Sequence, residues 1–340
     1  MQPWHALNRL RELGLSFTAT HTFSAACKMG VFDQLATGPA TAEELAQRLE
    51  IHPEGCRRFL VALKGLGLLE REGDHFRNSE LGSLCTKTSP LPLSGLTSLD
   101  PFYRMWEYLP DALKTYGPVW VQAHGATSQD IWEAVYANPE QLRRLCDYMN
   151  AYSVAIGQEI AERFDFSPFH CILDVAGGSG QLALQIGLRH KHLRGIIMDL
   201  PPVLAVAQEA IAANGLSDRF STQTADLFDG PYPAGADIMT LSWILHDWSD
   251  EKCRKILGHC YQALPSGGVL LLSEMVMNPD YSGTSVWNEL YSLFMLVVCE
   301  SSARERTEAE HRAQLNAVGF KDVALIRLEG PRDLVVARKA

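Results

Sequence analysis

The sequence has no surplus of positive charge: 30 Lys and Arg stand against 40 Asp and Glu, a net charge of -10 over 340 residues. A surface of that sign repels phosphate backbones and anionic lipid, so neither nucleic acid nor membrane is expected as a partner. Long apolar runs are missing too. The longest, Leu293–Cys299, falls far short of the ~20 residues of a membrane span. Met1–Leu10 holds no apolar stretch of the secretory-leader kind. The 8 cysteines form no C-x-x-C pair and read as buried, reduced thiols, which predicts a cytoplasmic location. No His, Cys and carboxylate cluster has metal-ligand spacing, so no metal is expected. A hydrophobic content of 46% with 21% charged residues excludes disorder.

What remains is a globular chain long enough for two domains, and its character changes near residue 168. We expect a mainly helical domain over residues 1–160 and an α/β domain over 161–340. In the first, Phe17–Met29 repeats small and apolar residues at helical spacing before Gly30. Such a face suits close packing across a two-fold axis, and a homodimer is expected. Thr41-Ala-Glu-Glu44 is a capping sequence. It opens a helix with Leu45, Ala46 and Leu49 on one face, and Gly55–Leu66 forms a second with Phe59, Leu60 and Leu63. A hairpin around Glu72-Gly73-Asp74 completes the order of a winged helix. Over Thr41–Lys87, however, 7 basic residues face 8 acidic ones. A recognition helix needs an excess of base, so this shape is assigned to dimerisation.

From Leu91 to Asn150 the pattern stays helical and rich in aromatics, among them Phe102, Tyr103, Trp106, Trp132 and Tyr136. Many are core, but together they suit the wall of a pocket for a flat ligand. Beyond 168, short apolar strands alternate with helices: Cys171–Val175, Leu182–Leu188, Ile196–Met198, Val203–Asn214, Phe220–Thr224, Ile238–Trp243, Asp250–Ala263 and Val269–Ser273. That alternation predicts a doubly wound, Rossmann-like parallel sheet covered on both faces. A helix Glu308–Val318 and two closing strands follow.

Asp174-Val-Ala-Gly177-Gly-Ser-Gly180 links the first strand to its helix, the place where such sheets bind nucleotides. A dinucleotide fingerprint starting at Gly177 would need glycines where Ser179 and Leu182 stand, and no Lys-Ser/Thr of a P-loop follows. The turn therefore suits a nucleoside with a small charged tail better than a pyrophosphate. Asp199, 22 residues after Gly177, ends the second strand and can accept hydrogen bonds from both ribose hydroxyls. Asp226 follows the third strand and can take an adenine amino group, with Leu227 and Phe228 against the ring.

These residues resemble the class I methyltransferases, with Ala176 in place of the first glycine of their turn; a methyl is accommodated there if φ is negative. Leu245-His-Asp-Trp-Ser-Asp-Glu251, after the fourth strand, makes the resemblance specific. It is similar to the signature of plant-type small-molecule O-methyltransferases. The acetylserotonin branch and bacterial tailoring enzymes look closest, through Phe23–Phe32, His75–Leu81, Glu289–Met295 and Arg304–Thr307.

The resemblance implies S-adenosylmethionine as cofactor, S-adenosylhomocysteine as its product, and a hydroxyl of a small aromatic molecule as acceptor. It implies His246 as general base, flanked by Glu274 and Glu305. It places Tyr152, Asp174, Gly177, Asp199, Leu200, Asp226, Leu227, Ser242 and Trp243 at the cofactor. It places Tyr103, Trp106, Trp132, Met149, Tyr291, Phe294 and Met295 at the acceptor. The chemistry agrees: a phenol of pKa ~10 is a poor nucleophile at neutral pH, and a neutral imidazole of pKa ~6.5 can take its proton. Two departures stand out. Ser242 replaces the lysine of caffeate-type enzymes, predicting a weaker cofactor contact, and Phe294 replaces an asparagine of the acetylserotonin branch, predicting a more apolar acceptor. N- or C-methylation, and relatives that keep the cofactor without methylating, are the alternatives left open.

Overall fold

The structure is a computed structural model that describes every residue except Met1, Gln2, Pro92 and Leu99, with Asp100 and Pro101 described by backbone only. Its contacts divide the chain into two units, Met1–Leu99 with Asp147–Ala151, and Asp100–Cys146 with Tyr152–Ala340.

In the first unit the helix Pro3–Met29 ends where Gly30 turns left-handed at φ 71. Thr41 and Glu44 form the expected capping box: the Glu44 N–H donates to the Thr41 hydroxyl at 3.2 Å, and the Thr41 N–H donates to the Glu44 carboxylate at 2.8 Å. The helix Ala42–Arg48 follows, then Pro53–Gly65, with Pro53 at a first-turn position that lacks an N–H without penalty. Strands β1 (Ala40–Thr41), β2 (Leu69–Glu72) and β3 (His75–Asn78) pair in the order β1-β3-β2. Phe32, Leu45, Leu60, Leu63 and Phe76 bury themselves between these elements. Before the small-residue stretch and at its first residue, Trp4, Leu7, Leu10, Leu13 and Phe17 stand exposed on the first helix.

The second unit begins with a chain of short helices: Leu109–Thr115 ends at Tyr116 (φ 51) and Trp120–His124 at Gly125 (φ 66). Its centre is a seven-stranded sheet. The strands are β4 (Cys171–Val175), β5 (Arg194–Asp199), β6 (Phe220–Thr224), β7 (Ile238–Ser242), β8 (Val269–Glu274), β11 (Lys321–Ile326) and β12 (Asp333–Arg338), in the order β11-β12-β8-β7-β4-β5-β6. The remaining short pair is β9 (Val276–Met277) and β10 (Arg306–Thr307).

Alternate residues of each strand serve opposite faces. Leu270 and Leu272 of β8 pack with Ile256, Leu257 and Cys260 of the helix Asp250–Ala263. Val269 and Leu271 pack with Leu182, Ala183 and Ile186 of the helix Gln181–Arg189. Burial on both faces explains why β8 reads Val-Leu-Leu-Leu. The two closing strands, whose direction the alternation does not predict, depart from the parallel pattern: β12 runs antiparallel to β8 and β11 antiparallel to β12. A tight return carries the chain between these last two strands, whereas a parallel neighbour requires a longer crossover. The sheet is thus parallel from β6 to β8 and mixed at that edge. Strand order reverses at β4, which has β5 on one side and β7 on the other, so the crevice beyond the carboxyl ends of these strands is the place for a ligand.

Candidate active site

The cofactor-side residues meet at that edge. Asp174 of β4 is buried and accepts a 2.5 Å hydrogen bond from the Thr240 hydroxyl of β7. Burial pushes its carboxyl up to about 7, against that bond. A Cβ on Gly177 would lie 2.6 Å from Asp174 Oδ2, so only glycine fits beneath the acid. Gly180 has φ +79, and a Cβ there would collide with Ile197. Ala176 corrects the expectation of a negative φ: it sits at φ 50. The turn demands the left-handed conformation that glycine supplies in the familiar motif, and here the chain adopts it with a methyl in place. Ala176→Gly is therefore expected to raise unfolding stability by ~1 kcal/mol in urea titration, relief of left-handed strain outweighing the added freedom of the unfolded chain.

Asp199 ends β5, buried, and its two oxygens accept the N–H groups of Gly178 at 2.8 Å and Leu200 at 2.7 Å. Burial pushes the carboxyl up to about 6, while those two N–H groups pull it down. Each oxygen keeps a lone pair for a further donor. Asp226 is half-buried and spends Oδ1 on the Phe228 N–H at 2.7 Å; Leu227 and Phe228 flank it in the same turn.

His246 lies in the single turn Leu245–Asp247 after β7. Its partners come from far along the chain. Strand β9 directly follows β8 and pairs in parallel with β10, Val276 opposite Arg306, so Glu305 arrives beside the end of β8. Glu305 Oε1 lies 2.7 Å from His246 Nδ1, and Asp247 Oδ1 lies 3.4 Å from Nε2. Glu274 Oε1 accepts the N–H groups of Ile244 at 3.1 Å and Leu245 at 2.9 Å, fixing the turn from beneath. The buried Arg306 holds it from the other side, donating to the carbonyls of Leu245 and Trp248 at 2.7 Å each.

This geometry revises the neutral imidazole of pKa ~6.5 expected from solution chemistry. Burial alone would lower the His246 pKa, but the charges of Glu305 and Asp247, the Glu305 hydrogen bond and then Glu274 raise it to about 10. Glu274 in turn is pushed up by burial to about 7 and Asp247 to about 6, both against His246. The ligand atoms of His246, Glu274 and Glu305 lie within 4.8 Å of one another, a grouping that sequence spacing did not reveal. Glu305 at Nδ1 and Asp247 at Nε2 thus hold the imidazole from both of its nitrogens.

An aromatic wall borders His246. The Trp243 ring stacks 5.7 Å from His246 and 5.0 Å from Tyr291, with Tyr152 at 4.7 Å. Phe294 continues it, 5.3 Å from Tyr291, 5.5 Å from Phe102 and 6.2 Å from Trp106. Trp132 packs 6.4 Å from Trp248. Met295 is buried on the helix Val286–Val298, and Tyr103 is half-buried. Met149 belongs to the first unit, where it is half-buried.

Sequence reading gave no site role to Asp247, Arg306 or Arg332, and counted Tyr136 only among the aromatics of a pocket wall. Asp247 stood in the quoted motif without a role. Tyr136, its phenol pushed up first by burial and then by the charges of Asp199 and Asp247, is within electrostatic reach of both. Arg332 donates from Nη1 to the Ser242 hydroxyl at 2.7 Å, so a cation reaches the position where a lysine was missed.

A glycine turn with a buried acid on each of two adjacent strands, joined at the same edge to a His–Glu pair, defines a class I methyltransferase site. Comparison with known proteins agrees. The model of the O-methyltransferase domain matches residues 106–321, and that of the O-methyltransferase dimerisation domain matches residues 12–88. Acetylserotonin O-methyltransferase of Gallus gallus is 35% identical, covering 95% of this chain and 94% of its own. The 3-hydroxy-5-methyl-1-naphthoate 3-O-methyltransferase of Streptomyces sahachiroi is 33% identical over 95% and 92%. The N,N-dimethyltransferase OxyT of Streptomyces rimosus is 32% identical over 92% and 90%. Human N-acetylserotonin methyltransferase, solved in complex with S-adenosylmethionine, superposes with a TM-score of 0.91 at 28% identity, covering 98% of each chain. The chain belongs to the S-adenosylmethionine-dependent O-methyltransferases of the acetylserotonin and bacterial tailoring family. Among the described residues no helix is long and apolar enough to cross a membrane.

Proposed function

We propose that this enzyme methylates a hydroxyl group on a flat, largely apolar aromatic molecule, with His246 as the general base. The observation that carries the reading is the buried 2.7 Å contact between His246 and Glu305 beside the Trp243–Tyr291–Phe294 wall. The residues fit the cofactor: a turn with no side chain at Gly177 and Gly178, Asp199 with lone pairs for a ribose diol, and Tyr152 and Trp243 as flat surfaces. S-adenosylmethionine, when bound, supplies an electrophilic methyl group on a sulfonium. Asp199, Leu200, Asp226 and Leu227 would hold its nucleoside end, and Asp174, Gly177, Ser242 and Trp243 its amino-acid end.

The rest of the chemistry is the protein's. The stacked rings hold the acceptor plane so that its oxygen lines up with the methyl carbon, an alignment worth several kcal/mol of barrier, roughly. His246 Nε2 takes the hydroxyl proton as the oxygen attacks, and Glu305 stabilises the imidazolium that forms. The clustering of Phe102, Trp106 and Phe294 supports an apolar ring system such as a naphthoate-type phenol or hydroxyindole. Incubation with labelled cofactor and a panel of phenols, hydroxyindoles and polyketide aromatics, followed by mass spectrometry, tests this. Label on a ring oxygen supports the reading. Label on an amine, as the name of the Streptomyces rimosus relative describes, would remove His246 from the role of base.

We also place the protein in the cytoplasm, with its eight cysteines free, and as a homodimer. The dimerisation-domain match and the exposed Trp4, Leu7, Leu10, Leu13 and Phe17 support the dimer. Light scattering at micromolar concentration should give twice the 37.7 kDa chain mass. A monomer mass would refute it.

A further inference from the structure

Arg332 is a fully buried arginine that no motif pointed to. It immediately precedes β12, whose Asp333 pairs with Glu274 at the end of β8, and Ser273 of β8 pairs with Ser242 at the end of β7. That register delivers the side chain to the carboxyl edge of the sheet. There its guanidinium meets two consecutive site residues. Nη1 donates to Ser242 Oγ at 2.7 Å, and Cζ lies 4.5 Å from the centroid of the Trp243 ring. The charge also acts on Asp174, opposing in part the burial that raises that carboxyl.

Trp243 needs such support. Its backbone is left-handed at φ 55, a conformation a bulky residue keeps only when its surroundings impose it. The ring stands between three partners with functional consequences: Tyr291 at 5.0 Å, Tyr152 at 4.7 Å and His246 at 5.7 Å. A planar guanidinium can present donors in its plane and a flat face to an indole, which a lysine ammonium cannot.

We infer that Arg332 is a positioning residue of the methyl-transfer site, fixing the Ser242 hydroxyl and the Trp243 ring and so setting the aromatic wall beside His246. The inference rests on the cofactor site proposed above, but not on the nature of the acceptor. The test compares wild type with Arg332→Met, Arg332→Lys and Ser242→Ala as full-length protein. S-adenosylhomocysteine binding is read by calorimetry and the tryptophan near-UV circular dichroism is read without ligand. For Arg332→Met we expect a changed near-UV spectrum with an unchanged far-UV one, and a Kd raised ~10-fold, the scale of one lost charged hydrogen bond. Arg332→Lys should recover part of the affinity and little of the near-UV signal. Ser242→Ala should weaken binding in wild type, hardly further in Arg332→Met and less than additively in Arg332→Lys, because the two act on one contact.

Wild-type affinity and near-UV signal in Arg332→Met, with only a lower melting temperature, would overturn the inference and leave a structural counter-charge to Asp174. If Arg332→Met fails to fold, additive effects of Arg332→Lys and Ser242→Ala would overturn it equally. None of these readings uses an acceptor, so they stand apart from the O-methylation test.

Discussion

His246→Gln is expected to lower kcat ~10²–10⁴-fold on an un-ionised phenol while leaving S-adenosylhomocysteine affinity in place. Glutamine keeps the approximate volume of the imidazole and can still donate to Glu305, but it cannot accept a proton. The loss should shrink for a nitrophenol already ionised at neutral pH, since that oxygen needs no base. A variant with wild-type kcat on the un-ionised phenol would leave proximity as the mechanism and His246 as a structural residue.

The same residue sets the pH dependence. The His246 pKa is raised to about 10, so the imidazole carries its proton at neutral pH and must lose it to act as base. Activity is therefore present above the operative pKa and lost as pH falls through it. The sulfonium charge of the cofactor opposes the imidazolium, so the midpoint of kcat should fall between ~6.5, the solution value, and that raised value. Glu305→Gln removes the charge that lies 2.7 Å away, and the midpoint should then move down, toward the solution value. A profile that stays put in that variant would mean that Glu305 does not face the titrating group.

Much of the fold was legible because hydrophobic alternation and capping are local signals. Cys171–Val175, Phe220–Thr224, Asp250–Ala263 and Glu308–Val318 appear with the bounds that the residues imply. Strand direction is not local, and nothing in Lys321–Ile326 or Asp333–Arg338 marks them as antiparallel. The glycine turn was recognisable by composition, yet the φ of Ala176 follows from the path that the turn must take, which a residue's name does not reveal. His246 stood out through its motif. Glu274 and Glu305 were expected beside it from the resemblance alone, and the means was not legible: a two-residue pairing between β9 and β10 brings Glu305 across 59 positions to it. Arg306 and Arg332 were invisible for a related reason: a charged residue reads as solvated until tertiary contacts supply acceptors for it.

Asp199→Ala is expected to raise the Kd for S-adenosylhomocysteine ~10–150-fold, which corresponds to ~1.5–3 kcal/mol for a lost pair of charge-assisted hydrogen bonds. Two effects combine in that figure. The carboxylate is the proposed acceptor for the ribose diol, and its oxygens already hold the N–H groups of Gly178 and Leu200. Asp199→Asn separates them: the amide oxygen retains one acceptor for the turn but brings no charge, so its loss should be the smaller. The pH response gives a second reading. Burial raises the Asp199 pKa to about 6, and a ribose diol donates better to the ionised form. Affinity should therefore weaken as pH falls through that value in wild type, and this slope should vanish in Asp199→Asn. Calorimetry from pH 5 to pH 8 that finds unchanged affinity in Asp199→Ala would remove the residue from the cofactor site, leaving it only the role of holding the glycine turn.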